Sequence, residues 1–261
     1  KQRLLHRCDI CYAILPSPFL LERKNFVKSI HHWSSSARHG YCCVLFLCVA
    51  LGGLFSEISR GQTEEHKTEL LRRENLVAWC IVPFDSRKRG PEERAAMLSK
   101  LGIKRLAYDY RAEHVPTFEA ELDALRKHNI ELTAWWFPAT LNDDARHILA
   151  LLERRRIRTQ LWVTGGGAPT RTPEEQAARV QAEANRIRPI AEAAAKIQCQ
   201  VGLYNHGGWF GDPENQLALI ESLQMPNVGI VYNLHHGHDQ IERLPALLEK
   251  MRPHLLAFNL N

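Results

Sequence analysis

The stretch Leu76-Val77-Ala78-Trp79-Cys80-Ile81-Val82 is a continuous apolar run, without the alternation of a strand that faces water on one side. Such a run predicts a β-strand that is covered on both faces, as in a parallel sheet. It is followed by Gly90-Pro91-Glu92-Glu93, where a proline and acidic residues in the first turn predict the start of a helix. A strand followed by a helix is the first half of a βαβ unit.

The same alternation repeats along the rest of the chain. Apolar runs predict further strands that begin near residues 105, 131, 159, 200, 228 and 255. The segments between them carry helix signals, such as the capping box at Thr172-Pro173-Glu174-Glu175. Strands that alternate with helices form right-handed βαβ units and a parallel sheet. No glycine-rich dinucleotide or P-loop motif follows the first strand, so the pattern favours a (β/α)8 TIM barrel over an open nucleotide-binding sheet.

The number of predicted strands is one short of a complete barrel. Seven strands are predicted, whereas a (β/α)8 barrel has eight and takes about 250 residues. The body from Gln62 to Asn261 is shorter than that. We therefore expect a TIM barrel that is truncated after its seventh strand, with a genuine seven-stranded closure as the alternative.

Positive charge is confined to the N-terminal part of the chain. Residues 1–60 contain eight Lys or Arg and three Asp or Glu, which accounts for the whole formal net charge of +5. The body that follows is electrically balanced, so it lacks the basic surface of a nucleic-acid-binding protein and that class is excluded.

An apolar run near the N-terminus is typical of a targeting segment. Residues 41–55 (YCCVLFLCVALGGLF) follow a basic flank and are too few to span a bilayer as a helix, which favours a signal peptide. We expect residues 1–61 to be a leader outside the fold and the body, residues 62–261, to be secreted or periplasmic without a membrane-spanning segment. A membrane anchor is the alternative.

Polar and aromatic side chains gather where the predicted strands end, which in a TIM barrel is the mouth of the active site. Histidine is a common metal ligand and titrates near neutral pH, and aromatic rings beside polar groups suit a small carbohydrate. Trp135 and Trp136 are successive, so one should face the barrel interior and the other the helices. The candidate substrate-binding residues are Asp109, Arg111, Trp136, Asn205, Trp209, Asn233, His235 and His238.

Two motifs resemble the xylose isomerase-like TIM barrels, the sugar phosphate isomerase and epimerase group: Val201-Gly-Leu-Tyr-Asn-His-Gly-Gly208 and Val228-Gly-Ile-Val-Tyr-Asn-Leu-His-His-Gly-His238. The resemblance extends over residues 75–261 in strand order and spacing. It implies a carbohydrate substrate and a divalent metal ion (Mn, Mg, Co or Zn) at the mouth. The family's fifth strand usually ends in Glu-Asn-His and its sixth carries Asp-x-x-His, so the resemblance assigns His206 and His236 to the metal.

The sequence departs from this family pattern at the carboxylate ligands. Tyr204 stands in the place of the Glu and Asn233 in the place of the Asp, while Asn259 stands in the place of a seventh-strand His. Sites for Mg or Mn depend on carboxylate charge, and two histidines are too few for a stable tetrahedral zinc site. We therefore expect the metal site to be degenerate.

The leading functional hypothesis is a sugar or sugar phosphate isomerase or epimerase that removes a proton next to a carbonyl. Glu113 and His206 are the candidate acid–base pair. One alternative is a non-catalytic secreted carbohydrate-binding barrel that has lost the metal site. Another is a lyase or hydrolase that acts on a sugar derivative. The sequence makes no prediction of the oligomeric state.

Overall fold

Seven parallel strands and one antiparallel strand close into a barrel. The computed structural model describes residues 11–14 and 72–260. The strands are β1 (Cys11–Ile14), β2 (Val77–Trp79), β3 (Arg105–Tyr108), β4 (Glu131–Phe137), β5 (Gln160–Val163), β6 (Gln200–Tyr204), β7 (Val228–Asn233) and β8 (Leu255–Asn259). Each strand from β2 to β7 pairs in parallel with the next one along the chain. This is the predicted TIM-barrel arrangement.

Helices follow the parallel strands. They are α1 (Ile81–Phe84), α2 (Pro91–Lys100), α3 (Phe118–Lys127), α4 (Asp143–Arg155), α5 (Pro173–Lys196), α6 (Gly208–Gly211), α7 (Pro213–Leu223) and α8 (Leu244–Met251), with 3-10 helices at Arg73–Asn75, Ala112–Thr117, His238–Arg243 and Arg252–His254. The predicted start at Thr172 is confirmed, since its side chain accepts a hydrogen bond from the Glu175 backbone N–H. Within the described part of the chain, no helix is long and apolar enough to cross a membrane.

Strand β1 takes the eighth position in the barrel wall. It pairs antiparallel with β2, where Cys11 lies opposite Trp79, and with β8, where Ala13 lies opposite Asn259. The expectation that residues 1–61 lie outside the fold is corrected for these four residues, and a seven-stranded closure is excluded. The physical reason is that the unpaired backbone groups of β2 and β8 need a strand between them. The apolar run at 41–55 lies outside the described residues, so the leader remains a prediction.

The barrel encloses its own cluster of side chains, separate from the core between strands and helices. The inner cluster consists of Val77, Trp79, Ala107, Ala134, Trp162, Tyr204, Val231 and Ala257. Successive residues of β4 face opposite ways, as predicted. Trp136 contacts Trp79 inside the barrel, with ring centroids 5.3 Å apart, whereas Trp135 packs on Phe118 of α3 at 4.8 Å. The barrel interior is therefore a packed aromatic core up to its mouth.

The first apolar run contains a shorter strand than expected. β2 ends at Trp79, and Cys80 has a left-handed backbone (φ 57°), which turns the chain into α1. Ile81 and Val82 are buried in this helix rather than in a strand. Because a short buried helix and a buried strand are both continuously apolar, periodicity alone does not separate them.

Candidate functional site at the barrel mouth

Strands β6 and β7 end side by side and bring two histidines, a tyrosine and an asparagine together. The ring centroids of His206 and His236 lie 4.6 Å apart. The Tyr204 hydroxyl lies 3.0 Å from His236 Nε2 and accepts a hydrogen bond from Asn233 Nδ2 at 2.9 Å. We call Tyr204, His206, Asn233 and His236 the mouth cluster. Its members come from two neighbouring strand ends, as the sequence predicted for the histidines.

Asn205 lies behind the mouth cluster and holds it in place. Its side chain is bonded at both ends to the backbone of Asn233: Nδ2 donates to the carbonyl at 3.0 Å, and Oδ1 accepts from the N–H at 2.7 Å. The residue is only 1 % exposed. Asn205 was predicted to bind substrate, but this placement makes it a positioning residue for the end of β7.

His236 is an uncharged imidazole at neutral pH. Burial, together with the neighbouring His206 and His235, lowers its pKa to about 4. His235 is itself exposed, with its ring centroid 5.3 Å from that of His236. A neutral imidazole has one nitrogen that accepts a hydrogen bond and one that donates. The mouth therefore holds an uncharged group that can both accept and donate a hydrogen bond.

Three tryptophans line the barrel beneath the mouth cluster. Trp79 and Trp162 are buried, with ring centroids 4.2 Å apart. Trp136 packs on Trp162 at 4.7 Å and lies 5.6 Å from the Tyr204 ring. Trp136 is half-buried, so part of its indole remains available to a ligand. Sequence analysis identified Trp136 but missed Trp79 and Trp162, which alternation along β2 and β5 could have placed inside the barrel.

Asp109 follows β3 and is almost fully enclosed. It is 1 % exposed, and its Oδ1 accepts a weak hydrogen bond from the Val82 N–H at 3.4 Å. Its Oδ2 has no hydrogen-bond partner among the described residues. Burial raises the pKa of Asp109 to about 7, although the nearby Arg111 opposes the shift. The Arg111 guanidinium donates to the carbonyl oxygens of Asp109 and Tyr110 at 3.0 and 2.9 Å.

The structure does not join the predicted acid–base pair. Glu113 is exposed in the 3-10 helix after β3, whereas His206 follows β6, three strands away around the barrel. Within residues 72–260, no hydrogen bond, ion pair or ring contact connects them. An acid and a base can act on a substrate from opposite sides without touching each other, so the pairing of Glu113 with His206 stays a prediction.

Trp209 and His238 also differ from their predicted roles. Trp209 is 3 % exposed and donates its indole N–H to Gln176 Oε1 at 2.7 Å, while the Arg179 guanidinium lies over its ring. It is a packed connection between α5 and α6, with no free face for a sugar. His238 is exposed at the start of the 3-10 helix after β7. The described contacts do not link it to the mouth cluster.

The donor atoms of the mouth do not fit the divalent metal that the resemblance implies. Tyr204 and Asn233 replace two carboxylates, and their polar atoms bond to each other. Among the described residues, no group of three or more His, Cys, Asp or Glu side chains could hold a metal ion. Mg and Mn sites depend on carboxylate oxygens, so no step of the chemistry is derived through a metal.

Sequence comparisons give little information about this chain. No protein-family model matches it. Protein HASTY 1 of Arabidopsis thaliana is 27 % identical over 163 residues, which is 58 % of this chain and 13 % of that protein. This chain therefore matches only a small part of the length of HASTY 1.

Comparison with solved structures gives the fold. The probable 3-DHS dehydratase AsbF of Bacillus anthracis matches with a TM-score of 0.52 at 18 % identity, over 69 % of this chain and 70 % of AsbF. The 3-keto-D-glucoside 4-epimerase YcjR of E. coli matches with 0.47 at 14 % identity, over 62 % and 70 %. A xylose isomerase-like TIM barrel protein of Mycobacterium smegmatis matches with 0.43 at 13 % identity, over 62 % and 63 %. The match to AsbF shows that the two proteins share a fold over the matched part of each chain. The closed barrel is the TIM barrel that the alternation of strands and helices predicted.

Proposed function

We propose that this barrel binds a sugar or sugar derivative at its mouth and transfers a proton on it, as an isomerase or epimerase does. The observation that carries the proposal is the position of two imidazoles, His206 and His236, 4.6 Å apart at the mouth that also holds half-buried Trp136. The indole offers an apolar surface for the CH face of a sugar, and the imidazoles offer sites for its hydroxyl groups and for a proton.

The mouth cluster divides into a base and a donor. His206 is exposed and takes the proton from the carbon next to the carbonyl. The carbonyl oxygen becomes an enediolate oxygen, which the Tyr204–His236 pair stabilises by hydrogen bonding. Return of the proton from His206 to the former carbonyl carbon gives the isomer when the hydroxyl proton also moves from the oxygen of the first carbon to the enediolate oxygen. Protonation of the first carbon on its opposite face, which gives the epimer, would need a second donor. In this scheme His236 is the partner of His206, a role predicted for Glu113.

Solvent exchange tests this proposal directly. The full chain is incubated in D2O with a panel of aldoses and ketoses, and deuterium at the carbon next to the carbonyl is measured by NMR. We expect His206→Gln and His236→Gln each to slow the exchange by about 100-fold to 10,000-fold, which is the usual contribution of a positioned acid or base. The matched control is His128→Gln, because His128 ends α3 on the side of the barrel where β4 begins and is bonded to Glu92. An exchange rate that both mouth variants leave unchanged would contradict the scheme.

A binding protein without catalysis is the second candidate. It is favoured because the polar atoms of Tyr204, Asn233 and His236 bond to one another and the mouth cluster contains no carboxylate. In that case sugars would quench tryptophan fluorescence without any deuterium incorporation. Binding would be lost in Trp136→Ala, whereas Trp209→Phe would bind normally because Trp209 is buried and packed against Gln176 and Arg179.

A further inference from the structure

We propose that the mouth binds its ligand without a divalent metal ion. The side-chain atoms of Tyr204, Asn233 and His236 that would otherwise coordinate the metal are hydrogen-bonded to one another. The inference rests on the proposed function only for the presence of a ligand. Its test measures metal binding rather than turnover, so that failure of one proposal can be distinguished from failure of the other.

The orientation of the Asn233 carboxamide is fixed by its neighbours. The backbone N–H of His235 donates to Oδ1 at 3.0 Å, so this atom must be the oxygen. The amide nitrogen therefore faces Tyr204, to which it donates. An amide nitrogen has no free lone pair for a cation, and rotation of the carboxamide would leave the His235 N–H facing a second donor.

The Nε2 atom of His236 is also occupied, whichever tautomer the ring adopts. If Nε2 is unprotonated, its lone pair accepts the hydrogen of the Tyr204 hydroxyl at 3.0 Å. If Nε2 carries the proton, it donates to that hydroxyl and has no lone pair. A cation at Nε2 would have to break this hydrogen bond. If the bond stays intact, His206 is the other imidazole of the mouth cluster that a cation could contact.

The surroundings of the unit make a bare cation costly. The Tyr204 ring lies 5.5 Å from that of Trp79 and 6.2 Å from that of Trp162, and both tryptophans are buried. Charge in such an apolar environment requires an opposite charge in contact with it. The mouth cluster has no carboxylate, and Asn205 fixes Asn233 at both backbone groups. The unit is therefore both uncharged and held in position.

Two carboxylates would convert the unit into a metal site. Positions 204 and 233 end neighbouring strands, and the side chains of Tyr204 and Asn233 are already within hydrogen-bond distance. Tyr204→Glu with Asn233→Asp would place two carboxylates beside His206 and His236. That combination of oxygen and imidazole ligands suits Mn2+ or Zn2+.

The experiment compares the wild-type chain with the double variant Tyr204→Glu/Asn233→Asp. Each full-length protein is treated with a chelator, dialysed and titrated with Mn2+ alone or Zn2+ alone by calorimetry, and its thermal unfolding is followed with and without the metal. The matched control is Tyr204→Gln, which has the shape of the glutamate without its charge. We expect stoichiometric binding by the double variant, at least about 100-fold tighter than by the wild type or the control. Only the double variant should gain Tm on addition of metal.

The other outcomes also decide the proposal. Stoichiometric binding of either metal by the wild type, lost in His236→Gln, would overturn it. A folded double variant that binds no metal would show that the two carboxylates are not what is missing, which also overturns it. If circular dichroism shows that the double variant does not fold even with metal, the wild-type titration decides: saturable, His236-dependent binding refutes the proposal and its absence supports it.

Discussion

The side chain of Asn205 bonds to both backbone groups of Asn233, at 3.0 Å to its carbonyl oxygen and 2.7 Å to its N–H. This two-point contact joins the ends of β6 and β7, where the mouth cluster is built. Replacing Asn205 by alanine removes the side-chain acceptor of the Asn233 N–H, whereas the Asn233 carbonyl oxygen still accepts from the His236 N–H at 3.1 Å. We expect Asn205→Ala to lower the free energy of unfolding by about 1–3 kcal/mol, which urea denaturation would measure.

An exposed asparagine provides the control for this prediction. Asn185 on α5 accepts a hydrogen bond from Gln181 at 2.9 Å on the helix surface, where water can replace it. Asn185→Ala should therefore change stability by less than about 0.5 kcal/mol. Similar losses for the two variants would mean that the contact between Asn205 and Asn233 does not hold the mouth together.

Asp109 should make the protein less stable as the pH rises. Its pKa is 3.8 in an unfolded chain and about 7 in the folded one, because burial disfavours the carboxylate. Between these values the folded state retains a proton that the unfolded state has lost. The free energy of unfolding therefore falls with increasing pH through this range, by up to about 4 kcal/mol.

The variant Asp109→Asn isolates this effect, because the amide has nearly the same shape and does not titrate in this range. Urea denaturation of both proteins at intervals from about pH 4 to about pH 8 gives the difference in stability. We expect the free energy of unfolding of the asparagine variant to increase relative to that of the wild type as the pH rises. The difference should level off above about pH 7. A difference that does not change with pH would mean that Asp109 ionises normally in the fold.

Helices α2 and α3 are joined by a buried ion pair between Arg94 and Glu121, whose side chains are 4 % and 1 % exposed. The Arg94 guanidinium also donates to the carbonyl oxygen of Arg89 at 2.7 Å. Glu121→Ala leaves the arginine charge buried without its partner and should cost about 3–5 kcal/mol. The double variant Arg94→Met/Glu121→Leu removes both charges and should lose much less. Chemical denaturation distinguishes them.

The exposed pair Arg252–Glu249 is the comparison for the buried one. Both side chains are largely in water, so Glu249→Ala should cost less than about 1 kcal/mol. If Glu121→Ala behaves like Glu249→Ala, the interior near Arg94 must admit water or a replacement anion. If the apolar double variant is the least stable of the set, the pair contributes net stability beyond satisfying its own charges.

The fold followed from local sequence signals, and the site followed only in part. The strands predicted to begin near residues 131 and 228 are Glu131–Phe137 and Val228–Asn233, because each is a largely apolar run preceded by polar or turn residues. The histidines after β6 and β7 could be placed together because neighbouring strands are consecutive in the chain. Contacts across the mouth depend on loop paths that periodicity does not report, so the pairing of Glu113 with His206 stays a prediction.

Side-chain roles were harder to predict than side-chain positions. Asn205 and Trp209 follow β6 as expected, yet the first bonds to backbone and the second is buried under Arg179. A polar or aromatic residue at a strand end can serve the ligand or the scaffold, and the sequence pattern is the same in both cases. The hydrogen-bond partners decide between them, and these belong to segments distant in sequence.

The glycines after β5 show that a loop with an apparent ligand-binding pattern can be dictated by packing. Gly165-Gly166-Gly167 could form either a turn or a phosphate-binding loop. A Cβ atom on Gly165 would lie 2.4 Å from the Phe210 ring, whereas one on Gly166 would meet nothing within 4 Å. The Gly167 carbonyl accepts a hydrogen bond from the Trp209 N–H at 2.8 Å. These contacts indicate a turn that closes against α6.

Alanine substitutions at two of these glycines test this interpretation. We expect Gly165→Ala to lower the free energy of unfolding by about 1–3 kcal/mol, because the buried Phe210 ring must move. Gly166→Ala should have an effect below about 0.5 kcal/mol, since the added methyl group has open space. Urea denaturation of both variants, with inorganic phosphate present or absent, completes the test. Phosphate-dependent stabilisation of the wild type that is lost in Gly166→Ala would favour the phosphate-binding loop, because packing gives Gly166 no other reason to be glycine.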